Sequence, residues 1–120
     1  MKRFILSILL AGAFTASLLA DTAPAFPGGM EAFFSFLNKN MQYPTRAADN
    51  GIEGKVVVQF DVDEHGTISN ARILRPVDPD LEEEALRIVH AMPKWIPATD
   101  NAGHPIASNA VIPITFKLSE

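Results

Sequence analysis

The most constraining feature of this sequence is a regular alternation of apolar and polar side chains that ends in a glycine turn. The apolar positions are Val56, Val58, Phe60 and Val62. A period of two residues predicts a β-strand that buries one face. The turn follows at residues 64–66, where Gly66 can adopt the positive φ that tight hairpins need. The segment therefore predicts the first half of an antiparallel hairpin.

The strand that returns from this turn is predicted between residues 67 and 75, and its pattern is irregular. Ile68 lies in one phase of the alternation, whereas Ala71 and Ile73 lie in the other. One additional residue in a strand produces this change of phase, so we predict a β-bulge near residues 69–70.

A helix is predicted before the hairpin. Its apolar residues are spaced as one face of a 3.6-residue helix, and Pro44 excludes helical geometry from the residue before it. These residues are Met30, Phe33, Phe34, Leu37 and Met41. An aromatic stripe of this kind is typical of a core-facing helix.

A second helix is predicted to begin at Asp78-Pro79 and to end at Pro93. Asp78 can cap the free amides and Pro79 suits the first helical position. The buried stripe is predicted to be Leu81, Ala85, Ile88, Val89 and Met92. The acidic residues Asp80, Glu82, Glu83 and Glu84 are interpreted as a helix start, where carboxylates favour the positive end of the dipole.

The last strand is predicted from about residue 109 to residue 118. Its apolar face consists of Ile112, Ile114, Phe116 and Leu118. Pro113 lies between them and cannot donate a backbone hydrogen bond, so it is tolerated at a sheet edge and disfavoured in the centre. The strand is therefore predicted to be an edge, with one row of backbone groups open to another chain.

The first twenty residues are predicted to be a secretory signal peptide. Residues 1–3 supply a cationic start, and an uncharged run follows from residue 4 to residue 20. Cleavage would leave a periplasmic protein. The alternative is a short anchor in the inner membrane, facing the periplasm, because the run is at the lower limit of the about 17–25 residues that span a bilayer. Residues 21–29 are predicted to be a lead-in linker, and residues 30–120 one domain.

Charge and composition exclude several classes of protein. The 120 residues carry a net charge of −4 and include no cysteine. Lys2 and Arg3 are the charged residues of the first twenty, so the remainder carries −6. An acidic domain of this kind is a poor ligand for nucleic acid. The absence of cysteine excludes disulfides and a lipid-modified cysteine.

No catalytic or metal-binding motif is recognisable in the sequence. His65, His90 and His104 fall in a turn, a helix and a loop, without the spacing of zinc ligands. Residues 61–66 resemble the start of a calcium-binding loop, but the twelfth position of such a loop is Arg72 rather than a carboxylate. An enzyme would also need polar groups that converge in a pocket, and no such pattern is present. We therefore predict no enzyme activity, no metal site and no cofactor.

Residues 42–118 resemble the C-terminal domain of the TonB energy-transducer family. The matching residues, in order, are Gln42-Tyr43-Pro44, Arg46-Ala47, Gly54-x-Val56-x-Val58-x-Phe60-x-Val62, His65-Gly66, Ile73-Leu74, Met92, Trp95-x-Pro97 and Ile112-x-Ile114-x-Phe116. The resemblance implies an α+β fold in which a three-stranded antiparallel sheet has two helices packed on one face and the final strand at an edge.

In that family the edge strand pairs with a short extended segment on the periplasmic side of an outer-membrane transporter. The resemblance thus implies that the chain captures a segment of a TonB-dependent receptor, or a similar peptide, by strand addition. The partner-binding residues that it implies are Val111, Ile112, Pro113, Ile114, Thr115, Phe116, Lys117, Gln42 and Tyr43.

Two other functions stay open at this point. The chain could be a complete anchored energy transducer that couples the proton gradient to TonB-dependent receptors, or a self-associating structural domain that forms homodimers through the same edge. The interval from Ala20 to Met30 is about ten residues, or about 35 Å when fully extended, which is shorter than the family's spacer. The hydrophobic segment also lacks the family's intramembrane His. Both features favour the peptide-binding domain.

Overall fold

The computed structural model of the chain describes residues 3–7 and 22–119. Most of the predicted signal peptide, apart from residues 3–7, lies outside the described residues. In the described part the helices are α1 (Gly29–Asn40), α2 (Thr45–Asp49) and α3 (Pro79–Ala91). The strands there are β1 (Arg3–Ser7), β2 (Gly54–Val62), β3 (Ile68–Arg75), β4 (Ala98–Thr99), β5 (Pro105–Ile106) and β6 (Ser108–Ser119).

The strands β6, β2 and β3 form the three-stranded antiparallel sheet that the sequence predicts, with β2 in the middle. The ladder between β2 and β6 runs without a register shift from the pair Gly54 and Phe116 to the pair Val62 and Ser108. β1 lies antiparallel to β6 on its other side and extends the sheet. The short strands β4 and β5 pair with each other in a separate hairpin.

One face of the sheet forms the core against α1 and α3. The four alternating residues of β2 are fully buried, as the period of two predicts, and they are Val56, Val58, Phe60 and Val62. Ile112, Ile114 and Phe116 of β6 lie in the same cluster. Burial of a large apolar side chain stabilises the fold by about 1.5–3 kcal/mol, so this face is the main source of stability.

The prediction that Met30 belongs to the buried stripe of α1 is wrong. Phe33 and Leu37 are fully buried, but Met30 is 43% exposed. Met30 lies in the first turn of α1, and the ring that packs against Phe33 comes instead from Phe26, with the two ring centroids 5.2 Å apart. Phe26 precedes the helix and was not part of the predicted stripe.

The segment before α1 runs beside residues 96–99. Ala25 and Ile96 exchange backbone hydrogen bonds of 2.9 and 2.7 Å, and the N–H of Thr22 donates to the carbonyl of Thr99 at 3.1 Å. These bonds hold Phe26 in the aromatic cluster, where its ring makes an edge contact with Trp95.

The turn between β2 and β3 packs directly against Trp95. Gly66 has a φ of +83°, as the hairpin prediction requires, and a Cβ at this position would lie 2.0 Å from the carbonyl oxygen of Trp95. The backbone N–H of Trp95 donates to the Gly66 carbonyl at 2.9 Å. A side chain at Gly66 would therefore push the turn away from residue 95.

The predicted bulge in β3 is confirmed. The register of β3 against β2 shifts between the pairs formed by Gln59 and Asp61. The residue at the shift is Asn70, whose φ of 55° is left-handed. Asparagine tolerates this conformation better than most residues, because its short polar side chain can hydrogen-bond locally.

The predicted start of the second helix is also confirmed. The side chain of Asp78 accepts hydrogen bonds from the N–H groups of Asp80 and Leu81 at 3.0 and 3.1 Å, which caps α3. Glu82 accepts the N–H of Val77 at 2.6 Å. The predicted apolar stripe is buried except for Met92, which is half-buried after the last turn.

Candidate functional site

The candidate site is the outer edge of β6, and the direction of its backbone groups follows from its pairing. In an antiparallel ladder, alternate residues direct both N–H and C=O toward the same neighbouring strand. Pro113 is opposite Val57 in an unshifted ladder, and without an N–H it cannot belong to the set that bonds to β2. The N–H of Leu118, which has the other parity, donates to Glu53 beside β2 at 2.7 Å.

The odd-numbered residues of β6 therefore direct their backbone groups outward, away from β2. This outward row includes Asn109, Val111, Pro113, Thr115 and Lys117. Over residues 108–114 no strand lies on the outward side in the part of the chain that the structure describes. Over residues 115–119 the edge is covered by β1, which places Ser7 opposite Thr115 and Ile5 opposite Lys117.

This coverage differs from the open edge that the sequence predicts. The difference arises because residues 3–7, which belong to the predicted signal peptide, form a strand against the C-terminal half of β6. The N-terminal half of the edge agrees with the expectation.

The structure separates the β6 residues of the predicted site into two groups. Ile112, Ile114 and Phe116 are buried in the core, and their backbone groups belong to the ladder with β2. The outward group consists of Val111 and Thr115, which are half-buried, together with the buried Pro113 and the exposed Lys117. The outward group alone can offer backbone hydrogen bonds to an added strand.

Tyr43 brings the second part of the predicted site to the C-terminal half of β6. Its ring makes an edge contact with Phe116, with ring centroids 5.6 Å apart. Its hydroxyl donates to the carbonyl of Ile52. Burial raises the pKa of the Tyr43 phenol, and the carboxylates of Glu53 and Asp78 raise this pKa further, so the donor stays neutral.

The backbone of Gln42 is positioned by a buried carboxylate. Glu84 is 7% exposed and accepts the backbone N–H of Gln42 at 2.7 Å. It also accepts two bonds of 2.7 Å from Arg87, whose guanidinium donates in turn to the carbonyl of Asn40 at 2.7 Å. The bond to Glu84 raises the pKa of Arg87.

The interpretation of Glu84 as part of the helix start is wrong, because it lies beyond the first turn of α3. The signal that could have identified its role is its spacing. Glu84 is three residues after Leu81 and four before Ile88, which places it on the buried stripe, where a carboxylate requires partners.

A cleft of about 250 Å³ lies beside this cluster. It is lined by residues 42–45 and by Asp80, Glu83, Glu84 and Arg87. Asp80 forms a bidentate ion pair with Arg46, with N···O distances of 2.6 and 2.7 Å. This pair lowers the pKa of the Asp80 carboxyl. The carboxylates of Asp80 and Glu84 are thus engaged by arginines. Within residues 22–119 no group of three His, Cys, Asp or Glu side chains could hold a metal ion.

The chain matches the model of a known protein family. The family model for the C-terminal domain of the TonB protein of Gram-negative bacteria matches residues 39–118. The chain belongs to this family. The C-terminal domain of this family is generally linked to receptor interaction in outer-membrane transport.

Full-length TonB proteins are similar to the chain over part of their length. It is 37% identical to protein TonB of Salmonella typhimurium over 106 residues, which cover 88% of this chain and 40% of that protein. It is 36% identical to protein TonB of Escherichia coli over 84 residues, which cover 69% of this chain and 33% of that protein. The chain thus spans less than half the length of these relatives.

A solved structure supports the fold. The NMR solution structure of the Helicobacter pylori TonB C-terminal domain has a TM-score of 0.54 and 24% identity, and the match covers 78% of this chain and 88% of that one. The predicted family and the predicted α+β fold are both confirmed. None of the helices in the described residues is long and apolar enough to cross a membrane.

Proposed function

We propose that the chain is a periplasmic TonB-like binding domain that captures an extended segment of an outer-membrane receptor as an added strand on β6. The observation that carries this proposal is the outward row of backbone groups on β6. Among the described residues no strand pairs with this row over residues 108–114, whereas β1 pairs with it over residues 115–119. An unpaired row of N–H and C=O groups is the template for strand addition.

The pairing of β1 suggests the orientation of the captured segment. β1 is antiparallel to β6, so we propose an antiparallel partner opposite Val111–Lys117. Val111, Thr115 and Lys117 would each offer an N–H and a C=O, whereas Pro113 would offer only its carbonyl. The partner therefore needs no acceptor opposite Pro113, which makes this position a source of selectivity.

Gln42 and Tyr43 are proposed to flank the captured segment. Tyr43 contacts Phe116 on the helix side of β6, near the C-terminal half of the edge, and Gln42 is the residue before it. The backbone N–H of Gln42 is bound by Glu84, whereas the residue Gln42 as a whole is exposed to solvent. The Gln42 amide group is therefore free to face a side chain of the partner.

The test is a titration of the full chain with periplasmic N-terminal peptides of the outer-membrane receptors from the same organism. Val111→Pro removes one outward N–H from the part of the edge that β1 does not cover, and it places a ring where the partner would approach. A hydrogen bond is worth about 0.5–1.5 kcal/mol net, so with the added obstruction we expect affinity to fall about tenfold or more. Fluorescence anisotropy with labelled peptides measures the change.

Val111→Thr is the matched control. It keeps the backbone N–H and the β-branched shape, and it only exchanges one methyl group for a hydroxyl. Because strand addition uses the backbone, Val111→Thr should bind as the wild type does. Circular dichroism must show that both variants are folded. The proposal fails if no receptor peptide binds the folded wild type, or if both variants weaken binding equally.

A further inference from the structure

The structure contains a strand on the edge that the proposed function assigns to a partner. This inference rests on that function and deepens it. We propose that residues 3–7 of the chain are an intramolecular competitor for the partner site on β6. While this N-terminal segment is attached it covers the C-terminal half of the edge, and its displacement or removal opens the edge to a partner.

The two occupants require the same backbone groups. β1 pairs with residues 115–119, and the proposed partner pairs with residues 111–117. The overlap includes Thr115 and Lys117, whose outward groups are opposite Ser7 and Ile5. One row of N–H and C=O groups can hold only one strand at a time, so binding is mutually exclusive over this half.

The overlap falls on the half of the edge that has the longer uninterrupted stretch of backbone donors. Moving from Lys117 toward the N-terminus of β6, the outward residues are Thr115, Pro113 and Val111. Pro113 interrupts the row of donors, so the outward positions with both an N–H and a C=O form two stretches, Asn109 and Val111 before it and Thr115, Lys117 and Ser119 after it. A competitor at residues 115–119 therefore blocks the longer of the two stretches.

The sequence of β1 indicates the kind of partner that the edge accepts. Residues 3–7 read Arg-Phe-Ile-Leu-Ser, without glycine or proline, and the central three are apolar. Aromatic and β-branched residues favour extended structure. We infer that the edge fits a short, apolar, extended segment that runs antiparallel to β6.

The strength of the competition can be estimated from the tether. Attachment to the same chain gives the competitor an effective concentration, which we take to be on the order of 1 mM. The competitor multiplies the apparent dissociation constant of an identical free peptide by a factor. This factor is one plus the effective concentration divided by the dissociation constant of the peptide for the open edge. For a peptide that binds the open edge at about 0.1 mM, the expected weakening is about tenfold.

Loss of the N-terminal segment has a direct consequence under this proposal. If residues 1–20 are cleaved as the predicted signal peptide, β1 leaves with them and the edge opens permanently. If they are retained, a partner must displace β1. The chain that carries residues 3–7 therefore binds more weakly than a chain in which they are absent or cannot pair.

The experiment uses the full chain made by cell-free synthesis, so that no signal peptidase acts on it. The probe is a fluorescein-labelled peptide with the sequence of residues 3–7 between flexible Gly-Ser ends. Ile5→Pro removes an N–H that points to β6, because Ile5 is opposite the outward residue Lys117. We expect Ile5→Pro to bind the probe about tenfold more tightly than the wild type.

Leu6→Pro is the matched control, since the N–H of Leu6 is opposite Phe116 and points away from β6. It should bind the probe within about threefold of the wild type. Ser7→Pro is a second variant whose lost N–H points to β6, because Ser7 is opposite the outward residue Thr115. It should reproduce the effect of Ile5→Pro. The inference is overturned if both inward variants, folded by circular dichroism, bind the probe no more tightly than the wild type.

Receptor peptides in the same assay separate this inference from the proposed function. Equal binding of a receptor peptide by wild type and Ile5→Pro would overturn the competition and leave the function standing. Tighter binding of the probe by Ile5→Pro, without binding of any receptor peptide by either protein, would support the competition and overturn the function.

Discussion

Gly66→Ala is expected to destabilise the fold by about 3 kcal/mol, mainly through the contact between the hairpin turn and Trp95. The left-handed φ of +83° costs an alanine about 1–2 kcal/mol. The new Cβ would lie 2.0 Å from the Trp95 carbonyl oxygen, so the two backbones must separate. Separation breaks the hydrogen bond from the Trp95 N–H, worth about 0.5–1.5 kcal/mol.

The change at Gly66 is a large fraction of the stability of a domain of this size, which is about 5–15 kcal/mol. Gly103→Ala separates backbone strain from contact, because Gly103 has a φ of +84° and its Cβ would meet nothing within 4 Å. We expect Gly103→Ala to cost only about 1–2 kcal/mol. Urea unfolding of both variants measures the difference, and equal losses would show that the Trp95 contact is not important.

Glu84→Ala is expected to destabilise the fold by about 2–3 kcal/mol. The substitution leaves the partly buried N–H of Gln42 without its acceptor and removes both bonds to Arg87. Hydrogen bonds to charged groups contribute about 1.5–3 kcal/mol each, but Arg87 is half exposed and can be rehydrated, which limits the loss. The segment at residues 40–43 should also become more mobile, because Glu84 and Arg87 hold both Asn40 and Gln42 in place.

Glu83→Ala is the control for Glu84→Ala. It is the same substitution one residue earlier in α3, so it changes the helix propensity equally, but at an exposed position. Its effect should stay within about 0.5 kcal/mol. Thermal or urea unfolding gives the two free energies, and amide exchange at Gln42 reports the mobility. Similar stability of the two variants would contradict the role of Glu84.

The elements that the sequence predicts well are those whose signal is local. The alternation in β2, the Asp78-Pro79 start of α3 and the positive φ at Gly66 each depend on a few neighbouring residues. The change of phase after Ile68 likewise places the bulge at Asn70. In each case the conformational preference and the burial pattern favour the same structure.

The features that the sequence did not reveal depend on contacts between distant residues. The strand at residues 3–7 pairs with residues 115–119, and no local period shows a pairing between the two ends of a chain. The cationic start and apolar run also fit a signal peptide, which obscures strand propensity. Phe26 similarly enters the core because the residue before it, Ala25, exchanges backbone hydrogen bonds with Ile96.

The site is predictable from sequence only at the level of the strand. Pro113 indicates an edge, but the choice between outward and inward residues needs the register with β2. The sequence therefore places Ile114 and Thr115 in one site, although only Thr115 directs its backbone outward. The bonds from Glu84 to Gln42 and Arg87 also become clear only when the residues are brought together.

The most direct test of strand capture is an isotope-edited NMR experiment on the ¹⁵N-labelled full chain with an unlabelled receptor peptide. The account predicts cross-peaks from peptide protons to the backbone amides of Val111, Thr115 and Lys117. It predicts none to the amides of Ile112 and Ile114, which point to β2. A bound peptide whose cross-peaks lie elsewhere, with the outward amides of β6 unaffected, would contradict strand addition at this edge.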